Sequence, residues 1–176
     1  MSTAPRGSIL YRYVPGTGRV AAVQCSESPT STCATAFSTS DQSLTAGTAA
    51  LVVHDTTGFA YGIQHSGGTF TVPTSGVYKI IPSLQCLGAG NGNLTIFLKV
   101  NGSNVANSAT RTAFKTNDEV VITCEYLLEL GLGDQVQVWA LATSANCTID
   151  YIAGDGVAPN TYPAAPGVIT NMYRIR

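Results

Sequence analysis
Charged side chains are scarce: Asp, Glu, Lys and Arg make up only 11% of the 176 residues and balance to −1 at neutral pH. An average soluble domain carries roughly 25%. Such a chain has no basic patch for nucleic acid and no polybasic segment for anionic lipid. Its solubility must come from Ser, Thr, Asn and Gln, or partners must cover its surface. Long apolar runs are missing too. Nothing approaches the roughly 20 residues that cross a bilayer, so membrane insertion is not expected. The first thirty residues lack the unbroken apolar stretch of a signal-peptide core, so ordinary export is not expected either.

The cysteines Cys25, Cys33, Cys86, Cys124 and Cys147 are odd in number and have no CxxC spacing. Neither a closed disulfide framework nor a zinc site follows, and buried small thiols are the reading. The histidines, His54 and His65, are only two and lie in no nucleophile context such as G-x-S-x-G. They read as loop or strand-end residues, and no enzyme activity is expected. Asp134, Asp150 and Asp155 do not form a dense oxygen-rich loop, and Asp134 reads as a turn residue after Gly133. No cofactor is implied.

What is present is period-two alternation. Val77 to Cys86 places Tyr78, Ile80, Leu84 and Cys86 on one face and Lys79, Ile81, Ser83 and Gln85 on the other. Pro82 removes a ladder donor there, which predicts a bulge or a sheet edge. Leu94 to Val100 alternates again and runs into Asn101-Gly102, the strongest hairpin signal in the chain. Residues 119 to 130 set Val120, Ile122, Cys124, Tyr126, Leu128 and Leu130 against Glu119, Val121, Thr123, Glu125, Leu127 and Glu129. A helix cannot satisfy that period over a dozen residues. Gln135 to Ala142 and Cys147 to Ala153 continue the pattern, with Phe97 and Trp139 on non-core faces.

The class is therefore all-β, an antiparallel sandwich. Residues 1–48 read as an N-terminal arm with edge strands, 49–153 as the core, and 154–176 as a C-terminal arm with a terminal strand. On that division, removing residues 1–40 or 156–176 should leave the core assembly intact.

The stretch TFTVPTSGVYKI, the Asn-Gly hairpin and then YLLELGLGDQVQVWA, with Pro73, Gly76, Tyr78, Leu130, Gly133 and Asp134 at the shared positions, resemble the tumour necrosis factor and complement globular-head superfamily. The resemblance covers roughly residues 49 to 153. It implies a ten-stranded jelly roll, to which this chain adds its extended N- and C-terminal arms, and a homotrimer that packs the outer face of one sheet around a three-fold axis. Lys79, Ile81, Ser83, Thr123, Glu125 and Leu127 then fall at the subunit interface. Lys79 shares its face with Glu125 and Glu129, which reads either as an ion pair at the subunit boundary or as separate solvated charges. Ile81 and Thr123 replace the aromatic axis of the cytokine branch, and the collagen-like stalk of the complement branch is absent.

Two expectations of function follow. The leading one is a structural, self-assembling trimer, a virion capsid or spike component made in the host cell interior, with its arms docking on other shell proteins. The alternative is a complement-head-like binding module that is extracellular and recognises a glycan or cell-surface receptor through its loops.

Overall fold
The computed structural model describes residues 9–13, 20–24, 32–156 and 161–176, and the chain divides into a small unit up to Ser31 and a large one from Thr32 to Arg176. In the first, β1 (Ile9–Tyr13) and β2 (Val20–Gln24) pair antiparallel, Ile9 opposite Gln24. Cys25 lies outside the described residues. Among the described residues there is no helix.

The large unit is built from β3 (Cys33–Ser38), β4 (Gln42–Leu44), β5 (Ala49–Leu51), β6 (Thr56–Tyr61), β7 (Gln64–Ser66), β8 (Thr69–Thr71), β9 (Gly76–Gly88), β10 (Gly92–Val100), β11 (Ser103–Asn104), β12 (Thr110–Phe114), β13 (Glu119–Thr123), β14 (Tyr126–Leu130), β15 (Gln135–Thr143), β16 (Cys147–Ile149) and β17 (Val168–Arg174). One antiparallel sheet runs β6-β3-β17-β9, with β13 and β14 end to end along the far side of β9. β16 continues the line of β17 along β9 and carries β4 on its own outer edge. The other sheet runs β12-β10-β15, then β5 and β8 end to end beside β15, with β7 beyond β8. With β5 and β8 counted as one interrupted strand, β13 and β14 as another, and the additional edge pieces β4, β6, β7, β11 and β16 set aside, the eight remaining strands, numbered in chain order from β3 as 1 to β17 as 8, are ordered 1-8-3-6 and 2-7-4-5. That order is a jelly roll.

Alternation makes the core. Tyr78, Ile80, Leu84 and Cys86 of β9, with Ile122 and Leu130, face Leu94, Ile96 and Leu98 of β10 and Val136, Val138 and Ala140 of β15 across the sandwich. Leu128 packs against this core only partly buried.

Pro82 lies on the central strand, so neither an edge nor a bulge forms. Cys124 N–H donates to the Pro82 carbonyl at 3.1 Å, but proline cannot return a donor. The ladder with β9 lapses for that reason at Cys124 and Glu125 only. The register is unchanged on either side, Thr123 opposite Ser83 and Tyr126 opposite Ile80. The missing donor thus interrupts the neighbour and leaves its own strand straight.

The domain boundaries fall elsewhere than composition indicated. β3 and β17 are not arms: β17 lies between β3 and β9, the middle of its sheet. The inward residues of β3 are Ala34, Ala36 and Ser38, side chains too small to announce a buried strand. Ile152 is bridged antiparallel to Ala165, and Asp155 to Tyr162.

The resemblance motifs acquire physical reasons. A Cβ at Gly76 would collide with the Arg176 carbonyl and the Arg174 guanidinium, because the chain end lies against the start of β9. Val77 N–H donates to the Arg176 carbonyl and Ile175 N–H to the Val77 carbonyl. Tyr78 Oη donates to the Thr74 carbonyl at 2.7 Å, anchoring the preceding turn. Asp134 closes the β14–β15 turn, accepting from Gly131 N–H and from Asn101 Nδ2, each at 2.8 Å. Asn101 and Gly102, φ 52° and 79°, make the predicted hairpin turn between β10 and β11.

Candidate functional site
The outer face of the β6-β3-β17-β9-β13/β14 sheet carries the residues singled out from the sequence, and the register sets them in rows. One row reads Tyr61, Cys33, Tyr173, Lys79, Leu127. The next reads Phe59, Thr35, Asn171, Ile81, with Glu125 at the end by the unbroken register of β9 with β13 and β14. The third is Phe37, Ile169, Ser83, Thr123. All six candidate residues, Lys79, Ile81, Ser83, Thr123, Glu125 and Leu127, therefore share one face.

The polar members satisfy each other within this face. Lys79 Nζ meets Glu125 Oε1 at 2.6 Å, on the diagonal between adjacent rows. The hydrogen bond from Lys79 to Glu125 raises the ammonium pKa above its usual value. Glu129, the other partner considered, lies opposite Val77. Ser83 and Thr123 hydroxyls are 2.7 Å apart, and Thr35 Oγ1 donates to Asn171 Oδ1 at 2.7 Å. Side chains paired in this way present little unmet polarity to a packing surface.

The apolar members are not covered. Val121 is 67% exposed, Leu127 58%, Phe59 57% and Tyr61 52%. They stand at the two lateral borders of the sheet, Phe59 and Tyr61 on β6 and Val121 and Leu127 on β13 and β14, with the Lys79–Glu125 pair beside the latter. Phe59 and Tyr61 are neighbours on one strand, and exposed apolar side chains that are not isolated mark interaction surfaces.

No protein-family model matches the sequence, and no curated protein matches it. Among solved structures, the globular domain of zebrafish complement 1qA protein is similar. It is 15% identical, with a TM-score of 0.49, over 83% of this chain and 98% of that one. The jelly-roll assignment rests on the strand order itself.

The other residues noted in the sequence are placed as follows. Phe97 and Trp139 are directly paired on the outer face of the second sheet, where the Lys99 ammonium sits 3.6 Å from the Trp139 ring centroid. Cys86, Cys124 and Cys147 are free thiols, and the hydrogen bond with Cys147 together with burial holds Cys86 protonated well above the ordinary thiol range. Among the described residues no three His, Cys, Asp or Glu side chains are grouped to hold a metal ion.

The histidines are where sequence reasoning fell short. His65 is the central residue of β7, within a strand and not at its end. His54 lies in the loop after β5 but is 1% exposed, with Nε2 2.8 Å from Thr170 Oγ1 on β17. The two rings stack edge-on at 5.7 Å, and both contact Phe70 of β8, at 5.5 and 4.8 Å. Burial, then the neighbouring His65, lowers the His54 pKa from 6.5 to about 4. Burial also lowers that of His65. The sequence shows a polar pair, His54-Asp55, that gives no hint of a ring folded inward.

Proposed function
We propose that the chain is a non-enzymatic, self-associating structural module, a homotrimer closed through the outer face of the β6-β3-β17-β9-β13/β14 sheet. The observation that carries this reading is the uncovered quartet Phe59, Tyr61, Val121 and Leu127 on a face whose polar groups are already paired. Two apolar borders on one sheet suit a head-to-tail contact, in which one border of a copy meets the other border of the next and the ring closes. Lys79, Ile81, Ser83, Thr123, Glu125 and Leu127 line that contact. The larger role we assign is building block of a shell, as a virion capsid or spike component, with residues 1–31, outside the compact large unit, docking on other shell proteins.

Sedimentation and native mass measurement test the association. The wild-type chain is expected as a trimer and the Val121→Glu/Leu127→Glu variant as a folded monomer. A wild-type monomer at micromolar concentration overturns the proposal, and a pentamer overturns the three-fold. The shell role is tested by co-expression with candidate shell proteins and imaging of particles from the full chain and from one lacking residues 1–31.

The competing reading, a glycan- or receptor-binding module, draws on one observation. Leu132 is 73% exposed on the turn beside a pocket lined by Gly62, Thr71 and Pro73. Glycan binding that persists without residues 1–31, and no particles from either chain, would favour it.

A further inference from the structure
The segment between β5 and β8 is held to the sandwich at few points. β6 is exposed at five of its six positions, so its side chains bury almost nothing. It hangs on the ladder to β3, which is itself broken by a bulge: Thr35 faces Phe59 and Ala36 faces Thr57, leaving Gly58 extra beneath the Phe37 ring. Beyond that ladder, Val52 is buried at one end of the segment and donates to the Val138 carbonyl, β7 pairs with β8 over three residues at the other, and three anchors lie between. Ile63 is buried at 2% exposure. Outside, the Asp55 carboxylate accepts from Thr39 N–H, Thr39 Oγ1, Ser38 Oγ and Thr56 Oγ1. Inside, His54 reaches across to Thr170 of the central strand β17 and stacks on His65 and Phe70.

His65 ties the same segment together. Gly68 N–H donates to Nε2 at 3.2 Å, so that nitrogen is unprotonated. In the neutral ring the proton is then on Nδ1 and is donated to Thr57 Oγ1 at 2.8 Å, joining β7 to β6. A second proton on His65 must take Nε2 and break the Gly68 contact. Charging His65 thus removes an attachment of the segment, and charging His54 buries a cation at 1% exposure with the His65 ring 5.7 Å away.

We propose that residues 52–68 form an acid-released latch: protonation of the His54–His65 pair frees β6 and β7 from the sandwich while the central strands of both sheets stay folded. The groups facing His54 are neutral Phe70 from β8, neutral Thr170 from β17, His65 from β7 and the backbone of Val52, which favours the charged ring but is outweighed by burial. The one carboxylate beside it, Asp55, is turned to Ser38, Thr39 and Thr56. Its hydrogen bonds hold its pKa below the ordinary 3.8, against the opposing effect of burial, so it remains ionised while the histidines titrate. It cannot act as the switch.

The direction follows from linkage. A histidine with a folded pKa of about 4 and an open-state value of 6.5 binds its proton preferentially in the open state. Opening is therefore favoured as pH falls from 6.5 towards 4. Between pH 6.5 and pH 5 this one ring multiplies the opening equilibrium by about 15, and His65 adds to it. The latch is a property of the single chain. Its effect on assembly rests on the association proposed above, because release of β6 withdraws Phe59 and Tyr61 from the shared face.

Amide hydrogen exchange of the full chain, corrected for intrinsic pH dependence, is the test. Protection across residues 56–66 is expected to fall at least tenfold between pH 7 and pH 5, with β9, β10 and β15 unchanged. His54→Gln retains a donor for Thr170 but cannot titrate in this range, and His54→Gln/His65→Asn is expected to show no pH-dependent release. Should the variants not fold, side-chain NMR titration of wild type decides: His54 is expected to titrate well below His65. Uniform loss of protection in all strands, unchanged protection at 56–66, pH-dependent release in the double variant, or an ordinary His54 titration would each overturn the latch. Sedimentation at pH 7 and pH 5 separates the two proposals, since a wild-type monomer at both values refutes the association alone.

Discussion
At the scale of single residues, burial decides which side chains matter. Leu84 is fully buried between the sheets, whereas Leu128, on the same face of the neighbouring strand, is only partly covered. Leu84→Ala is expected to cost about 2–5 kcal/mol and Leu128→Ala about 1–2 kcal/mol, measured by denaturant unfolding. Equal costs would mean that β14 is packed as deeply as β9. Tyr78 places its ring in the core and its hydroxyl on the Thr74 carbonyl. Tyr78→Phe should lose about 1 kcal/mol and loosen the 73–76 turn, read as faster exchange there. Sequence alternation had already put Leu84, Leu128 and Tyr78 on the inward face. How deep each lies depends on which strands flank it, and that is set by pairing partners far away in the chain.

At the scale of elements, the strands were legible wherever inward residues are large. β9, β10, β13, β14 and β15 carry Leu, Ile, Val and Tyr at alternate positions, and the structure has strands there. β3 and β17 were not legible as core because their inward residues are Ala34, Ala36, Ser38, Val168, Thr170 and Met172, small or polar in four of the six cases. Thr170 is tolerated in the interior because His54 supplies its hydrogen-bond partner. The Pro82 gap makes a further prediction. Pro82→Val restores the donor that the Cys124 carbonyl lacks in the β9 ladder, while giving up the conformational restriction proline imposes on the unfolded chain. The net stability change should stay within about 1 kcal/mol, but a newly protected amide at position 82 should appear in exchange experiments. An amide there that exchanges freely would mean that Cys124 and Glu125 do not follow the register on either side of them.

At the scale of the molecule, the chain ends have unlike roles. Residues 1–31 lie outside the large compact unit, while β17 is flanked on both sides by other strands. Removal of residues 1–31 should leave a cooperative thermal unfolding transition. Removal of residues 168–176 should abolish it, since β3 and β9 would each lose a full ladder and the core would open along its length. A folded protein after the second deletion would show that β17 is dispensable to the sandwich. Assembly belongs to this scale as well. The six residues expected at a subunit contact lie together on one sheet face, and the apolar quartet that strengthens the proposal includes Phe59 and Tyr61 from β6, a strand whose alternation is obscured by the extra Gly58.

Side-chain period and turn chemistry alone determined the all-β class, the inward faces of the long strands, the hairpin at Asn101-Gly102 and the turn at Gly133-Asp134, because these depend on neighbours only a few residues apart. Tertiary structure decided the rest: that β17 closes the centre of a sheet, that Pro82 interrupts its neighbour, and that His54 is folded inward against His65. Each of these hangs on contacts between residues distant in sequence, such as Thr170 with His54. No local pattern encodes such contacts, since a small or polar residue reads the same whether water or another strand lies opposite it.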